Sequence, residues 1–149
     1  PSAKTARAVT EMKYALPTEA QWEYACRGGT ATAYSFGDSA APLGAYGWLG
    51  SNSGSKTHPV GQKRPSVWGL HDIHGNVWEW CADWRGTDYY GQSPPNDPVG
   101  PLTGSDRVTR GGSWLCFARN CRSAMRGCFG PGARCGHLGF RLALVPVDE

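Results

Sequence analysis

Gly75-Asn76-Val77-Trp78-Glu79-Trp80 runs from a tight turn directly into a strand. Side chains alternate across a strand, so Trp78 and Trp80 share one face while Val77 and Glu79 share the other. Upstream, Pro17-Thr18-Glu19-Ala20-Gln21-Trp22 carries a capping box. Thr18 accepts from the amide of Gln21, and the Gln21 side chain reaches back. Pro17 and Trp22 are placed as the two halves of a hydrophobic staple. Trp22, Ala25 and Cys26 fall on one helical face, and Gly28-Gly29 stops the helix. Residues 4–13 read as the tail of an earlier helix. From Thr30 to Pro65 the chain is turn-rich, with Trp48 and Val60 as its expected anchors and no regular element of useful length. Residues 85–106 form another Pro/Gly/Asp loop. Arg107 to Trp114 and Gly139 to Val145 read as strands bracketing an aperiodic stretch, and a loop that long inside a compact domain is usually functional or disordered.

The 149 residues suit a single domain over 1–149. With 40% hydrophobic and only 18% charged residues the chain is not of the disordered class. No apolar run approaches the roughly 20 residues of a membrane helix, the longest being Leu142 to Val147. Pro1 to Met12 does not read as a secretory leader. A net charge of +3 is too small to argue nucleic-acid binding. Six cysteines (26, 81, 116, 121, 128 and 135) lack paired C-x-x-C spacing, so structural zinc is not indicated. His58, His71, His74 and His137 share no short metal-binding spacing, and His74 is expected at the surface. No G-x-S-x-G, Walker A or Rossmann pattern occurs.

Four ordered segments resemble the formylglycine-generating-enzyme (sulfatase-modifying-factor) family: Leu16 to Ala25, Gly75 to Trp80, Arg110-Gly111-Gly112-Ser113-Trp114 and Leu138-Gly139-Phe140-Arg141. The resemblance implies an α+β, C-type-lectin-like fold, loop-rich, with short helices packed on small antiparallel sheets. Family members normally carry further strands and a helix before the Leu-Pro-Thr-Glu segment. Because one scaffold can host several activities, the site has to decide the function.

Residues 110–141 further resemble the variable region of proteins diversified by retroelements, in which an adenine-directed mutator rewrites asparagine-type codons around a fixed framework. The framework here comprises Arg110 to Trp114, Ala118-Arg119, Cys121 to Ala124, Arg126, Pro131, Arg134 and Leu138 to Arg141. The gaps hold Leu115, Cys116, Phe117, Gly127, Cys128, Phe129, Gly130, Gly132, Ala133, Cys135, Gly136 and His137. Every gap residue is reachable from an AAC codon with randomised adenines, and none is Lys, Glu, Gln, Met or Trp, which are not. Met125 is unreachable and needs a different codon. This resemblance implies a ligand-binding module without catalysis, displaying Leu115, Phe117 and Phe129 to a protein or cell-surface ligand.

The alternative implied by the family is a copper-dependent formylglycine-generating oxidase acting on a sulfatase cysteine. Cys116 and Cys121 show matching spacing from Gly111-Gly112-Ser113, and thiolates suit Cu(I). The resemblance also implies a structural Ca²⁺ held by Asp72, the carbonyls of Gly75 and Val77, and Glu79, all hard oxygen donors. The competing reading is an Asp-capped turn with Glu79 paired to a framework arginine. Cys26 and Cys81 read as buried thiols or as one half of a disulfide, with Cys121 the expected partner. The arginines at 107, 110, 119, 122, 126, 134 and 141 lack interleaved lysines; a structural role is expected for them, and no nucleic acid.

Overall fold

The computed structural model describes residues 11–147. In chain order the elements are β1 (Met12–Ala15), α1 (Glu19–Arg27), α2 (Leu43–Tyr46), β2 (Trp78–Trp84), β3 (Arg107–Arg110), β4 (Arg126–Phe129), β5 (Leu138–Gly139) and β6 (Ala143–Pro146). β1 pairs antiparallel with β6. The other four strands form a sheet of order β4-β3-β2-β5, in which only β5 runs parallel to its neighbour. This is the loop-rich α+β architecture that the resemblance implies. Among the described residues no helix is long and apolar enough to cross a membrane.

α1 forms as its sequence dictates. Thr18 Oγ1 accepts from Gln21 N at 3.2 Å, and Gln21 Oε1 accepts from Thr18 N at 2.9 Å. Gly28 ends the helix in the left-handed region. Trp22 and Cys26 turn inward and join Ile73, Cys81 and Val108 in one apolar cluster. A second cluster collects Tyr34, Leu43, Leu49 and Cys121. Trp48 stacks on His58, but Val60 is 82% exposed and anchors nothing.

Several expectations are corrected. The helix tail over 4–13 lies mostly outside the described residues, and Met12 and Lys13 belong to β1. The strand expected from Arg107 to Trp114 stops at Arg110, because Gly111 and Gly112 adopt φ of 93° and 77° and turn the chain away. The strand expected from Gly139 to Val145 is two strands in different sheets, β5 and β6. Between them Arg141 turns inward to grip Glu79 and the carbonyl of His71. The aperiodic stretch contains β4 and a 3-10 turn, Ala118–Cys121. β4 is only four residues long and includes Gly127, which has no side chain to show alternation, so its period-2 signal is hidden. All six cysteines are free thiols. Cys121 does not pair with Cys26 or Cys81, because it lies in the second apolar cluster and they lie in the first.

Candidate functional site

Two of the residues expected as framework, Arg110 and Arg126, share a buried ionic network. Glu19, 2% exposed at the start of α1, receives Arg126 through Nε at 2.6 Å and Nη2 at 2.7 Å, and Arg110 Nη1 at 3.3 Å. Arg110 is fully buried and also reaches Glu23 and the carbonyls of Ser123 and Ala124. One helix therefore holds both β3 and the start of β4. Asp83 adds a neighbouring carboxyl, accepting from Glu19 N at 2.7 Å. Burial raises the Asp83 pKa from an ordinary 3.8 to about 6, opposed by the Glu19 amide and reinforced by the Glu19 charge. The folded state then binds more protons than the unfolded state between about pH 4 and 6. Relative to Asp83→Asn, the stability of the protein is expected to fall as pH rises through that window. Parallel curves from urea titrations would contradict this.

The segment between Trp114 and Leu138 is held through its backbone. Gly50 N donates to Cys116 O at 2.9 Å, Ser53 Oγ to Trp114 O at 2.9 Å and Tyr34 Oη to Ala118 O at 2.9 Å. His74 Nδ1 donates to Cys121 O at 2.8 Å, which leaves Nε2 to accept from Ser35 N at 3.1 Å. His74 is 1% exposed and not a surface residue as expected; burial lowers its pKa to about 4, with the Cys121 carbonyl opposing. Trp114 Nε1 donates to Gly136 O at 3.1 Å, and Trp78 N donates to His137 O at 2.8 Å. Residues outside the expected gaps thus catch the carbonyls of 116, 136 and 137. Among the described residues, the hydrogen-bond contacts of the expected gap side chains are few: Ser113–Cys116 at 3.4 Å and Cys135–His137 at 3.5 Å.

Leu115 and Phe117 are 54% and 69% exposed. They line a cleft of about 520 Å³ with Leu49, Gly50 and Ser51. Phe129 is half-buried, edge-on to Trp80 at 6.2 Å and 5.9 Å from the His137 ring. Gly132 and Gly136 are exposed, and Gly127, Cys128, Gly130, Ala133 and Cys135 are intermediate. The register refines the gap at 127–130. Cys128 lies opposite Val108, on the helix side of the sheet, whereas Phe129 lies opposite Arg107 on the other side. Sequence reasoning missed Trp80 and Arg107 as fixed members of this face. The alternation of Trp78 and Trp80 with Glu79 was the available signal. Met125 lines a separate cleft with Arg27, Ala31 and Arg122.

The glycines of this segment differ in what surrounds them. A Cβ on Gly112 would lie 2.7 Å from Cys121 Sγ and 2.9 Å from Asn120 O, at a φ of 77°. Gly130, Gly132 and Gly136 do not have positive φ, and a Cβ there meets nothing closer than 4.0 Å. Gly127 is the exception, since its Cβ would meet Thr109 Oγ1 at 2.7 Å and the Trp78 ring at 3.0 Å. Gly127→Ala is expected to cost about 1–3 kcal/mol by overpacking. Gly132→Ala and Gly136→Ala should stay within about 0.5 kcal/mol of the parent or stabilise it slightly. Thermal melts of the three variants check this.

Asp72, Gly75, Val77 and Glu79 line one cleft of about 420 Å³ with Arg141. Asp72 Oδ2 accepts from Gly61 N at 2.8 Å, while its buried Oδ1 has no partner. Glu79 accepts Arg141 at both oxygens, each at 2.6 Å, and Trp22 Nε1 at 2.7 Å. The framework-arginine pairing is therefore present, yet a carboxylate offers about four lone pairs and one remains. An orphaned buried Asp72 oxygen lining the same cleft as Glu79 suits a hard cation. Among the described residues no three His, Cys, Asp or Glu side chains cluster, so further ligands would be carbonyls. Cys116 and Cys121 pack in the same cluster. Burial, then the nearby Cys116, pushes the Cys121 thiol up to about 12.

A model of the sulfatase-modifying factor enzyme 1-like domain matches residues 3–145. The formylglycine-generating enzyme of Streptomyces coelicolor is 46% identical over 143 residues, covering 86% of this chain and 46% of that enzyme. The Mus musculus formylglycine-generating enzyme is 40% identical, over 86% of this chain and 38% of its own length. Among solved structures, Treponema denticola variable protein 1 matches with a TM-score of 0.82 at 53% identity, covering 87% of this chain and 46% of that one. PvdO from Pseudomonas aeruginosa matches with a TM-score of 0.77 at 29% identity, over 88% and 52%. The chain spans about half the length, or less, of these relatives.

Proposed function

Because the chain belongs to the sulfatase-modifying factor enzyme 1-like domain family and has its C-type-lectin-like fold, whose members do not share one activity, we propose that it is a ligand-binding module displaying a hypervariable face, diversified by a retroelement and without catalysis. The face comprises Leu115, Cys116, Phe117, Phe129, Gly130, Gly132, Ala133, Cys135, Gly136 and His137, with Gly127 and Cys128 more constrained. The observation that carries the reading is the contrast between glycines. Gly112 is demanded by its backbone and neighbours, whereas a Cβ at Gly130, Gly132 or Gly136 would meet nothing closer than 4.0 Å and none of the three has positive φ. The likeness to a Treponema denticola variable protein supports it. The test is a library with the gap codons randomised, displayed on yeast and sorted for folding and for binding to an arbitrary target protein. Most members should fold, and binders should emerge. Wholesale loss of folding would refute the reading.

The oxidase is the second reading, favoured by the pairing of Cys116 with Cys121 in one cluster and by the formylglycine-generating relatives. Two soft sulfurs would hold Cu(I), which supplies redox chemistry when bound. Cu(I) binding lost in both Cys116→Ser and Cys121→Ser, with turnover of a cysteine peptide, would establish it.

We further propose that Asp72, the carbonyls of Gly75 and Val77, and Glu79 hold a structural Ca²⁺. Such an ion would cross-link a segment with few backbone ladders of its own. Chelation is expected to lower the melting temperature of the protein. Asp72→Asn keeps an oxygen for Gly61 and tolerates the φ of 56° at this position, but should remove the response to chelator. An unchanged melt on chelation rules the ion out.

A further inference from the structure

Between residues 107 and 147 the chain carries seven arginines and no aspartate, glutamate or lysine. Four of these guanidinium groups are engaged. Arg110 and Arg126 pair with Glu19, and Arg141 pairs with Glu79. Arg107 lies 3.7 Å over the Trp84 ring and donates to Ala82 O. Arg119, Arg122 and Arg134 are exposed, and none has a carboxylate within ion-pair distance among the described residues. Arg122 bonds Arg119 O and lines the cleft with Met125, away from the gaps. Arg119 sits 5.0 Å over the ring of Phe117, which places a cation against the most exposed apolar gap side chain. Arg134 lies between the gap residues Ala133 and Cys135. Asp106, which accepts from Ser105 Oγ, has its other oxygen 4.0 Å from where a Cβ on Gly130 would stand.

We propose that this face binds a protein surface with an apolar centre and a carboxylate rim, and that Arg119 and Arg134 supply the matching charge. The proposal rests on the display reading and deepens it. Both arginines lie outside the gaps, so they stay while Leu115, Phe117 and Phe129 change. Every variant would then inherit the same electrostatic bias, and the gap residues would choose among acidic partners. Guanidinium groups suit the task because they are weakly hydrated, stack on aromatic rings and bind carboxylates through two parallel bonds. Unpaired exposed charge also steers encounter with an oppositely charged surface. A nucleic acid fits less well. Two cations neutralise few phosphates, and the centre of the face offers leucine, cysteine and glycine in place of a basic track.

The test pans the full chain against a phage-displayed library of random linear peptides, in parallel with Arg119→Ser/Arg134→Ser. Both side chains are exposed, so melting curves of the two proteins should coincide. Peptides enriched on the parent should combine aspartate or glutamate with aromatic or aliphatic residues. The acidic excess should vanish on the double variant. The affinity of a selected peptide should fall about tenfold or more on the double substitution, and also on raising salt from ~0.05 to ~0.5 M. Enriched peptides without acidic excess, an excess that survives the substitution, or no enrichment at all would overturn the proposal. So would arginine-dependent retention of a random single-stranded RNA pool. None of these outcomes touches the tolerance of the gap positions, which the randomised-gap library measures separately.

Discussion

Arg110→Met is expected to destabilise the fold by about 3–5 kcal/mol, the usual cost of breaking a buried ion pair from one side. The guanidinium is completely buried and serves Glu19, Glu23 and two carbonyls at once. Methionine fills comparable volume, so the loss would report the polar network and not a cavity. Glu19 would keep Arg126, but the carbonyls of Ser123 and Ala124 would lose this donor. The turn entering β4 should therefore loosen first, visible as faster amide exchange at 122–126. Arg126→Met, at a half-buried position, should cost less. A loss under about 1 kcal/mol in urea unfolding of Arg110→Met would mean the network does not hold the framework.

Gly112→Ala should cost about 2–4 kcal/mol, combining left-handed backbone strain with overpacking. The methyl would press on Cys121 Sγ and on the Asn120 carbonyl, and neither is the end of a long flexible side chain. Because His74 fixes the Cys121 carbonyl from below, the 3-10 turn cannot retreat without breaking that bond. The damage should spread to the backbone of 115–117, in contrast to the near-neutral outcome expected at Gly132 and Gly136. Equal costs at all three positions would erase the distinction between framework and gap.

Local rules made α1 legible in full, since the capping box and Gly28 each act within a few residues of themselves. The alternation at Val77 to Trp80 was equally readable. β4 was not, because its pairing comes from β3 and its four residues, one of them glycine, are too few to show a period. The break at Gly111-Gly112 was concealed because the sequence around it still reads as a strand. His74 was misjudged for a related reason. Nothing near it in sequence reveals that its partners, Ser35 and Cys121, arrive from 39 and 47 residues away. The expected division into framework and gaps came from the resemblance to retroelement-diversified proteins, with codon reach only consistent with it, and nothing local in the sequence shows how the backbone there is held. Only the coordinates reveal that gap residues are held by their carbonyls.

The most direct measurement is the unfolding free energy of the quadruple variant Leu115→Asn, Phe117→Asn, Phe129→Asn, His137→Asn. If shape is kept by backbone bonds from fixed residues, the variant should fold cooperatively and lose less than about 2 kcal/mol, mostly at Phe129 where Trp80 loses a ring contact. A loss above about 5 kcal/mol, or no cooperative transition, would show that these side chains are part of the core and contradict the account.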